Sequence, residues 1–430
     1  MRYDLIIVGA GWAGYSAAKK AVSRGLKVAL IEQEEIGGTC LNRGCIPTKT
    51  LIQSAKVLTL IKKAKVFGIE SSAPKADFTA IQARKDAVIA QLRKGMQLGL
   101  SGVDYLKGKA VLSSKNTLRL DGQELEGDNI LIATGSRPQE LKEIRFVKGT
   151  ILSSDEILGA AKIPVSILII GGGVIGCEFA SLFNSLGTQV TVAEKMPQLL
   201  PLEEKEIARK LEVSFKKKGI KVHTGIDATT LDFAAYELVL LCVGRVPCTQ
   251  ELGLEEAGVK LEKGRLAVDA CLRTNIPNIY AAGDCTGKLM LAHFAAYQGE
   301  VAVHNILHPD KPLEAEANAV PNCIFTDPEV SSVGINEEKA AAEGLQVKVH
   351  RFDFLGSGMA RIMEESDGFL KIVSAEQDNR ILGASIIGPK ATELIAVLAT
   401  AVSSRLKTED LKKTIFAHPT LAESIKEALG

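Results

Sequence analysis

The sequence predicts an α/β protein in which two similar strand–helix–strand units precede a smaller α+β module. An apolar run at Leu5–Val8 ends in a Gly-x-Gly-x-x-Gly turn, and a second run at Ile167–Ile170 ends in the same turn. The copies are offset by 162 residues, and the offset holds through a glycine, a valine and a glutamate further along. From about residue 315 the pattern changes to short strands and two helices without such a turn. A strand that leads through a tight turn and a helix to a second strand is the repeating unit of a parallel sheet.

Length, composition and charge exclude several classes of protein. The chain has 430 residues, enough for two to four domains at roughly 100–200 residues each. Its 52 basic and 51 acidic residues give no overall field that would attract nucleic acid or an anionic membrane. The longest uncharged stretch, Ile163–Cys177, is too short to span a bilayer, and an apolar run from residue 5 leaves no room for a signal peptide. Eight cysteines in this length indicate the cytoplasm rather than a secreted disulfide framework.

Both glycine turns have the features of a dinucleotide-binding loop. The first glycine permits the tight turn, the second lets a pyrophosphate approach the backbone, and the third lets the helix pack on the strand. Free N–H groups at the helix start then favour the anion. The alternative, packing glycines in ordinary parallel sheets, does not explain why both copies keep an acid at the same distance. We therefore predict two Rossmann-like units with the glycines Gly9, Gly11, Gly14, Gly171, Gly173 and Gly176.

Each unit also has a glutamate 23 residues after its first glycine, Glu32 in one copy and Glu194 in the other. An acid at the end of the second strand can accept hydrogen bonds from ribose hydroxyls. A carboxylate at position 194 would repel the 2′-phosphate of NADP, so it favours NAD.

A second internal echo supports two nucleotide domains. The strand before Thr134-Gly135 is repeated by Leu238–Val243 before Gly244, with an offset of 109 residues between the glycines. A third strand ends at Gly283-Asp284. Open α/β sheets bind ligands at the carboxyl ends of their strands, which makes Asp284 a candidate ligand contact. The alternative is that Asp284 only caps a turn.

The cysteine pair carries the strongest chemical signal. Cys40 and Cys45 follow the first nucleotide unit at a predicted helix start. With no second Cys or His pair nearby they do not indicate a zinc site, and we predict no metal. Helix N–H groups stabilise a thiolate, so the pair predicts a redox dithiol; two structural thiols are the alternative. The remaining six cysteines lack partner spacing and are expected to be small buried residues: Cys177, Cys242, Cys248, Cys271, Cys285 and Cys323.

The chain ends with a candidate base. His418 precedes a proline, and Glu423 opens the next predicted helix within hydrogen-bonding reach of the ring. A base with an orienting carboxylate is the arrangement that thiol activation needs. Taken alone, a histidine in this position is more often structural.

Together these motifs resemble the flavin-dependent pyridine nucleotide–disulfide oxidoreductases over nearly the whole chain. Within that family the resemblance is strongest to members that oxidise protein-bound dihydrolipoamide with NAD. It implies FAD at the first unit, NAD at the second, and a homodimer in which the terminal histidine serves the other subunit. A lipoylated acyltransferase or lipoyl carrier protein would be the substrate. The implied domains are FAD-binding (1–143), NAD-binding (144–247), central (248–313, completing the FAD site) and interface (314–430).

The resemblance also implies the role of each site residue. Cys40 would exchange with the substrate sulfur, Cys45 would lie against the flavin, and His418 would be the acid/base with its tautomer held by Glu423. A pair formed by Lys49 and Glu178 would lie beside the flavin. The implied FAD contacts are Gly9, Gly11, Gly14, Glu32, Thr39, Lys49, Thr134, Gly135 and Asp284. The implied NAD contacts are Gly171, Gly173, Gly176, Glu194 and Gly244.

Other readings remain open at this point. A glutathione-type reductase is possible, although it would favour NADP and a basic residue at position 194. A redox-inert flavoprotein is disfavoured because both cysteines are present. Two positions depart from the family pattern, Trp12 and Arg43, and we expect Arg43 to be a solvated surface residue.

Overall fold

The computed structural model describes residues 1–430 as three main sheets with helices packed against them. The strands are β1 (Arg2–Val8), β2 (Val28–Glu32), β3 (Val103–Lys107), β4 (Ala110–Leu112), β5 (Thr117–Leu120), β6 (Gln123–Ile132), β7 (Ser136–Pro138), β8 (Ile151–Leu152), β9 (Ser166–Ile170), β10 (Gln189–Glu194), β11 (Lys221–Thr224), β12 (Leu238–Leu241), β13 (Arg245–Pro247), β14 (Leu261–Glu262), β15 (Arg265–Leu266), β16 (Ile279–Ala281), β17 (Asn322–Ile324), β18 (Glu329–Gly334), β19 (Val347–Asp353), β20 (Phe369–Ala375) and β21 (Ile381–Gly388). The helices are α1 (Trp12–Ser23), α2 (Gly38–Arg43), α3 (Cys45–Lys62), α4 (Phe78–Leu98), α5 (Val174–Leu186), α6 (Lys205–Lys217), α7 (Ala292–Leu307), α8 (Glu337–Ala342), α9 (Gly358–Ile362), α10 (Ala391–Ser403), α11 (Thr408–Lys413) and α12 (Glu423–Leu429).

The first sheet has a parallel centre and an antiparallel edge. Its order is β3-β2-β1-β6-β5-β4, and β16 from later in the chain pairs with β6 in parallel. The central strands are continuous apolar runs because both of their faces are covered, and Leu5, Ile6 and Ile7 are fully buried. Helices α1 and α7 pack on the face of Leu5 and Ile7, and apolar residues of β4, β5 and β15 pack on the face of Ile6. A turn at Asp121-Gly122 joins β5 to β6, and both residues have positive φ.

The second sheet repeats the parallel centre of the first. Its order is β11-β10-β9-β12-β8, and all of its pairs are parallel. The register repeats as well, since Leu5 pairs with Val28 in one sheet and Ile167 with Val190 in the other. The predicted α/β class and the two Rossmann-like units are therefore confirmed.

The third sheet is antiparallel, in the order β17-β18-β21-β20-β19. Strand β20 is buried at all seven residues rather than at every second one. One face packs on α10, where Leu370 joins a core with Leu398, and the other meets the second sheet's helices, where Phe369 joins a core with Phe215. This sheet is therefore the middle layer of three. No helix is long and apolar enough to cross a membrane.

The two echo segments that follow β6 and β12 pair with each other. Strands β7 and β13 form an antiparallel ribbon in which Arg245 pairs with Pro138 and Pro247 with Ser136. The ribbon joins the first two sheets at the carboxyl ends of their strands, which is where a ligand between the units would lie.

Candidate active site

The two glycine turns have the same geometry. Gly9 N donates to the Ile31 carbonyl and Gly171 N to the Ala193 carbonyl, each at 2.8 Å. The first glycine has φ +104° in one turn and +108° in the other, a region that favours glycine. A Cβ on the third glycine, Gly14 or Gly176, would lie 1.9 Å from the carbonyl oxygen of the first. Both glycines are therefore required for close packing of helix on turn.

The middle glycine of each turn faces open space instead. A Cβ on Gly11 would meet its first atom at 4.0 Å, and one on Gly173 would meet nothing within 4 Å. Gly11 and Gly173 also cap the N-termini of α1 and α5. The space in front of each helix start fits a pyrophosphate, because free N–H groups there favour an anion.

The two predicted ribose acids also hold the glycine turns together. Glu32 accepts from the N–H groups of Ala10 (2.7 Å) and Glu34 (2.8 Å). Glu194 accepts from the equivalent N–H groups of Gly172 (2.6 Å) and Met196 (2.7 Å). Each carboxylate oxygen has a further lone pair for a ligand hydroxyl. The sequence analysis missed this structural role.

Asp284 lies at the ribbon between the two units. Its carboxylate accepts from Ser136 Oγ at 2.6 Å, and Ser136 Oγ accepts from Arg245 Nε at 2.8 Å. Arg245 Nη2 also lies 3.5 Å from Thr39 Oγ1, at the start of α2, the helix that carries Cys40.

The other predicted site residues near the ribbon are Thr134, Gly135 and Gly244. Thr134 Oγ1 donates to the Cys248 carbonyl at 2.6 Å, and Gly135 O accepts from the N–H of the same residue at 2.9 Å. Gly135 and Gly244 both have positive φ. The site residues of the two echoes therefore converge on one ribbon.

The cysteine pair lies where α2 meets α3. Cys40 is in α2 and Cys45 is the first residue of α3, and both thiols are free and partly buried. A hydrogen bond from Cys40 lowers the pKa of Cys45 to about 7, assisted by the charge of Lys49 and opposed by burial. The same bond, together with burial, raises the pKa of Cys40. In the reduced pair Cys45 therefore carries the negative charge and Cys40 keeps its proton.

Lys49, half-buried, forms an ion pair with buried Glu178 one turn along α3 from Cys45. Lys49 Nζ lies 2.8 Å from both carboxylate oxygens of Glu178. Glu178 also accepts from the N–H of Phe325 at 3.0 Å, and Lys49 Nζ lies 4.7 Å from the Phe325 ring centroid. The pair thus joins α3, α5 and the third sheet at the dithiol.

We expect Lys49→Met to raise the pKa of Cys45 by about 1 unit or more, since an opposite charge nearby typically shifts a pKa by roughly 1–3 units. The measurement is the pH titration of thiolate absorbance in the dithiothreitol-reduced protein. Lys56→Met is the matched control, because Lys56 is on the same helix and pairs with buried Glu329 at 2.5 Å. Equal titrations in the two folded variants would contradict the assignment.

His418 and Glu423 are hydrogen-bonded to each other and make no hydrogen bond to the cysteines of their own chain. His418 Nδ1 lies 2.8 Å from Glu423 Oε1, and Glu423 Oε2 accepts from the N–H of Thr420 at 2.8 Å. Both contacts lower the pKa of Glu423. The His418 side chain is 81% exposed, and no hydrogen bond joins it to Cys40 or Cys45. Its Nε2 is therefore free for a group from outside the chain.

Arg43 lies at the surface, as expected, with its side chain 40% exposed, but it is also held in place by two carboxylates. Arg43 forms ion pairs with Glu34 and with Asp155, the latter at 3.4 Å. The Asp155 carboxylate also lies 3.7 Å from the Arg245 guanidinium, so Asp155 connects α2 to the ribbon of β7 and β13. Nothing local in the sequence indicates this connection, because the three residues are far apart along the chain.

The other cysteines match their prediction only in part. Cys177, Cys242 and Cys285 are buried, and burial raises the pKa of each. The rest are only half-buried: Cys248, Cys271 and Cys323.

This arrangement defines a class of protein: two dinucleotide units that meet at a thiol pair, with a third module that carries a histidine–carboxylate pair. Comparison with known proteins agrees. Residues 3–299 match the family model described as pyridine nucleotide-disulphide oxidoreductase, and residues 320–429 match its dimerisation domain. The chain belongs to the pyridine nucleotide-disulphide oxidoreductase family, whose members use FAD and NAD.

Individual relatives are similar over almost their full length. The chain is 41% identical to a protein named dihydrolipoyl dehydrogenase from Chlamydia muridarum, covering 98% of this chain and 95% of that protein. It is 38% identical to one of the same name from Bacillus subtilis, covering 99% and 97%.

Two solved structures also match over almost the whole chain. LpdA from Mycobacterium tuberculosis has a TM-score of 0.91 at 30% identity, covering 100% of this chain and 99% of that one. The HOCl-induced flavoprotein disulfide reductase RclA from Escherichia coli has a TM-score of 0.88 at 29% identity, covering 99% of each.

Proposed function

We propose that this protein oxidises protein-bound dihydrolipoamide to lipoamide and passes the electrons to NAD. The carrying observation is the placement of the two thiols where α2 meets α3, beside the Lys49–Glu178 ion pair. The pKa of Cys45 is lowered there and that of Cys40 is raised, which fits a dithiol with two distinct roles. The similarity to proteins named dihydrolipoyl dehydrogenase supports lipoamide as the substrate.

The thiol chemistry follows from these residues. The partner subunit's His418 removes a proton from one substrate thiol, and that thiolate attacks Cys40 of the oxidised pair. A substrate–Cys40 disulfide forms, and the Cys40–Cys45 bond breaks with its electron pair on Cys45, where Lys49 stabilises it. The second substrate thiol then loses its proton to solvent, and its thiolate attacks the first substrate sulfur, which forms lipoamide and breaks the bond to Cys40. Cys40 leaves as a thiolate and takes the proton that the partner subunit's His418 holds. Glu423 holds the histidine in the tautomer that leaves Nε2 as the base.

When bound, the two cofactors would supply the redox chemistry that carries two electrons from the reduced dithiol to NAD, which accepts them as a hydride. In our proposal the FAD is held by the first glycine turn with Glu32, by Thr39, Lys49, Thr134 and Gly135, and by Asp284. The NAD is held by the second turn with Glu194 and Gly244. The chain's own part is to fix the ribose and pyrophosphate positions, since Glu32 and Glu194 each lock a glycine turn.

The test is a comparison of two activities in the purified yellow protein. We expect NADH–lipoamide reductase activity to exceed NADPH–glutathione disulfide activity by at least about tenfold. A preference for NADPH and glutathione disulfide would overturn the proposal. A second candidate, reduction of another disulfide with NADH, is supported by the structural match to RclA, and equal failure with both substrates would favour it.

We expect Glu194→Gln to shift coenzyme preference toward NADPH by about tenfold in the ratio of kcat/KM values. The amide removes the charge that repels a 2′-phosphate and keeps an acceptor for one of the two N–H groups that Glu194 binds. Glu32→Gln is the matched control, because it makes the equivalent change in the first unit. An unchanged ratio in Glu194→Gln would contradict this role of the carboxylate.

We propose the division 1–143, 144–247, 248–313 and 314–430 as FAD, NAD, central and interface domains. Strand β16 and α7 of the central segment pack on the first sheet and its helix α1, which supports a role in completing the FAD site. The dimerisation domain and the exposed His418 support a homodimer with sites shared between subunits. A lipoylated acyltransferase or lipoyl carrier protein in the cytoplasm is the proposed partner.

A further inference from the structure

Trp12 is a side chain at the dithiol for which the exchange chemistry above has no role. It is the single tryptophan of the chain and the first residue of α1, directly after Gly11. Its indole Nε1 is enclosed by protein atoms and makes no hydrogen bond of normal geometry. A buried N–H without an acceptor is costly, so such a donor calls for an acceptor in at least one state of the protein.

The start of α1, where Trp12 lies, is in contact with the helix that carries Cys40. The backbones of Gly11 and Gly38 are in contact there, since a Cβ on Gly38 would lie 2.9 Å from the Gly11 Cα. Trp12 and Cys40 follow these two glycines closely in α1 and α2. The indole ring of Trp12 packs edge-on against the Tyr15 ring, with ring centroids 6.3 Å apart and an interplanar angle of 86°. The indole orientation is therefore set by packing within α1.

Cys40 is the group on which the indole N–H acts. The hydrogen bond to Cys45 and burial raise the pKa of Cys40, whereas the indole N–H and Lys49 lower it. In the reduced pair Cys40 holds its proton, and a thiol is only a weak acceptor. A thiolate is a strong one, because hydrogen bonds to ionised acceptors are about twice as strong as neutral ones. The acceptor therefore appears when Cys40 is ionised.

We propose that the indole N–H of Trp12 is the hydrogen-bond donor to the Cys40 thiolate that forms as the oxidised substrate leaves. In that step the second substrate sulfur bonds to the first, the first substrate sulfur–Cys40 bond breaks, and its electron pair departs on Cys40 Sγ. Cys40 then takes its proton from the partner subunit's His418. The inference rests on the proposed function for the identity of the substrate, but the thiolate can be observed without substrate.

The experiment isolates Cys40 in a Cys45→Ser background of the full-length holoenzyme. The rate of iodoacetamide alkylation at Cys40 is followed against pH by peptide mass mapping. Trp12→Phe removes the N–H and keeps an aromatic ring, and Tyr15→Phe is the control that changes the adjacent ring. The charged groups that face Cys40, Lys49 with its partner Glu178 and the partner subunit's His418, are the same in all variants. A second series in a His418→Gln background removes the histidine titration.

We expect Trp12→Phe to shift the midpoint of the alkylation profile to a pH higher by about 1 unit. At any pH well below that midpoint, the fraction of Cys40 present as thiolate would then be about tenfold smaller. Tyr15→Phe should leave the profile in place. The tryptophan emission of the Cys45→Ser protein comes from Trp12 alone and should titrate at the same pH as the alkylation. With Cys45 restored, Trp12→Phe should slow lipoamide turnover while sparing NADH oxidation by ferricyanide.

Superimposable alkylation profiles for Trp12→Phe and its parent, or fluorescence that does not change with pH, would overturn the proposal. Neither readout needs lipoamide or NAD. A protein that fails the lipoamide assay but shows the shift would therefore refute the substrate and leave the Trp12 role intact. A protein that turns over lipoamide but shows no shift would refute the Trp12 role and leave the proposed substrate intact.

Discussion

His418→Gln is expected to lower lipoamide turnover by about 10²–10⁴-fold, the usual contribution of a positioned acid/base group. Glutamine keeps similar size and hydrogen-bonding capacity but cannot exchange the proton of a substrate thiol. The side chain is largely exposed and makes its one side-chain hydrogen bond with Glu423, so the free energy of unfolding should be almost unchanged. NADH oxidation by ferricyanide should persist, because that reaction bypasses the thiol exchange. Normal lipoamide turnover in the variant would refute the assignment.

A complementation experiment tests whether the histidine acts across the dimer. Cys40→Ser and His418→Gln homodimers should each be inactive with lipoamide. A heterodimer of the two variants contains one intact site, formed by the cysteines of one chain and the histidine of the other. Coexpression should therefore restore activity up to about half of the parent value per heterodimer. If the histidine served its own chain, each site would be defective and no activity would return.

The parts of the fold that repeat along the chain could be predicted from sequence. The glycine turns and Glu32 and Glu194 recur at a fixed offset because the same local geometry is built twice, and the structure superimposes their hydrogen bonds one for one. The third sheet was also predictable as strands. The burial of both its faces was not predictable, because it depends on the packing of α5 and α6 on the second face, which buries β20 at all seven residues.

The contacts around the dithiol were less accessible to sequence reasoning. Asp155 pairs with Arg43 and Arg245, which are more than about 80 residues away on either side, and no local pattern relates them. Trp12 is part of the first Gly-x-Gly-x-x-Gly turn, but this motif constrains only the backbone conformation and does not predict where the indole ring points. Such pairs depend on how two helices or two domains meet, which is decided by packing of the whole molecule.

Two alanine substitutions three residues apart should separate the structural from the ligand-binding glycines. Gly176→Ala would place a Cβ 1.9 Å from the Gly171 carbonyl oxygen and 3.1 Å from Cys242 Sγ. Backbone cannot yield as a flexible side chain can, so we expect a loss of about 3 kcal/mol or more in the second unit. The measurements are soluble yield and thermal unfolding, with the midpoint lowered by roughly 5 °C or more.

Gly173→Ala should behave in the opposite way. Its φ of −74° suits any residue, and the added Cβ meets nothing within 4 Å, so the unfolding midpoint should match that of the parent. The methyl group would instead occupy the space where a pyrophosphate approaches the start of α5, and NADH affinity should fall by about tenfold or more. Parental NADH affinity in a folded Gly173→Ala protein would show that the coenzyme does not lie on this turn. A fully stable Gly176→Ala protein would show that the close contact between helix and turn is absent in solution.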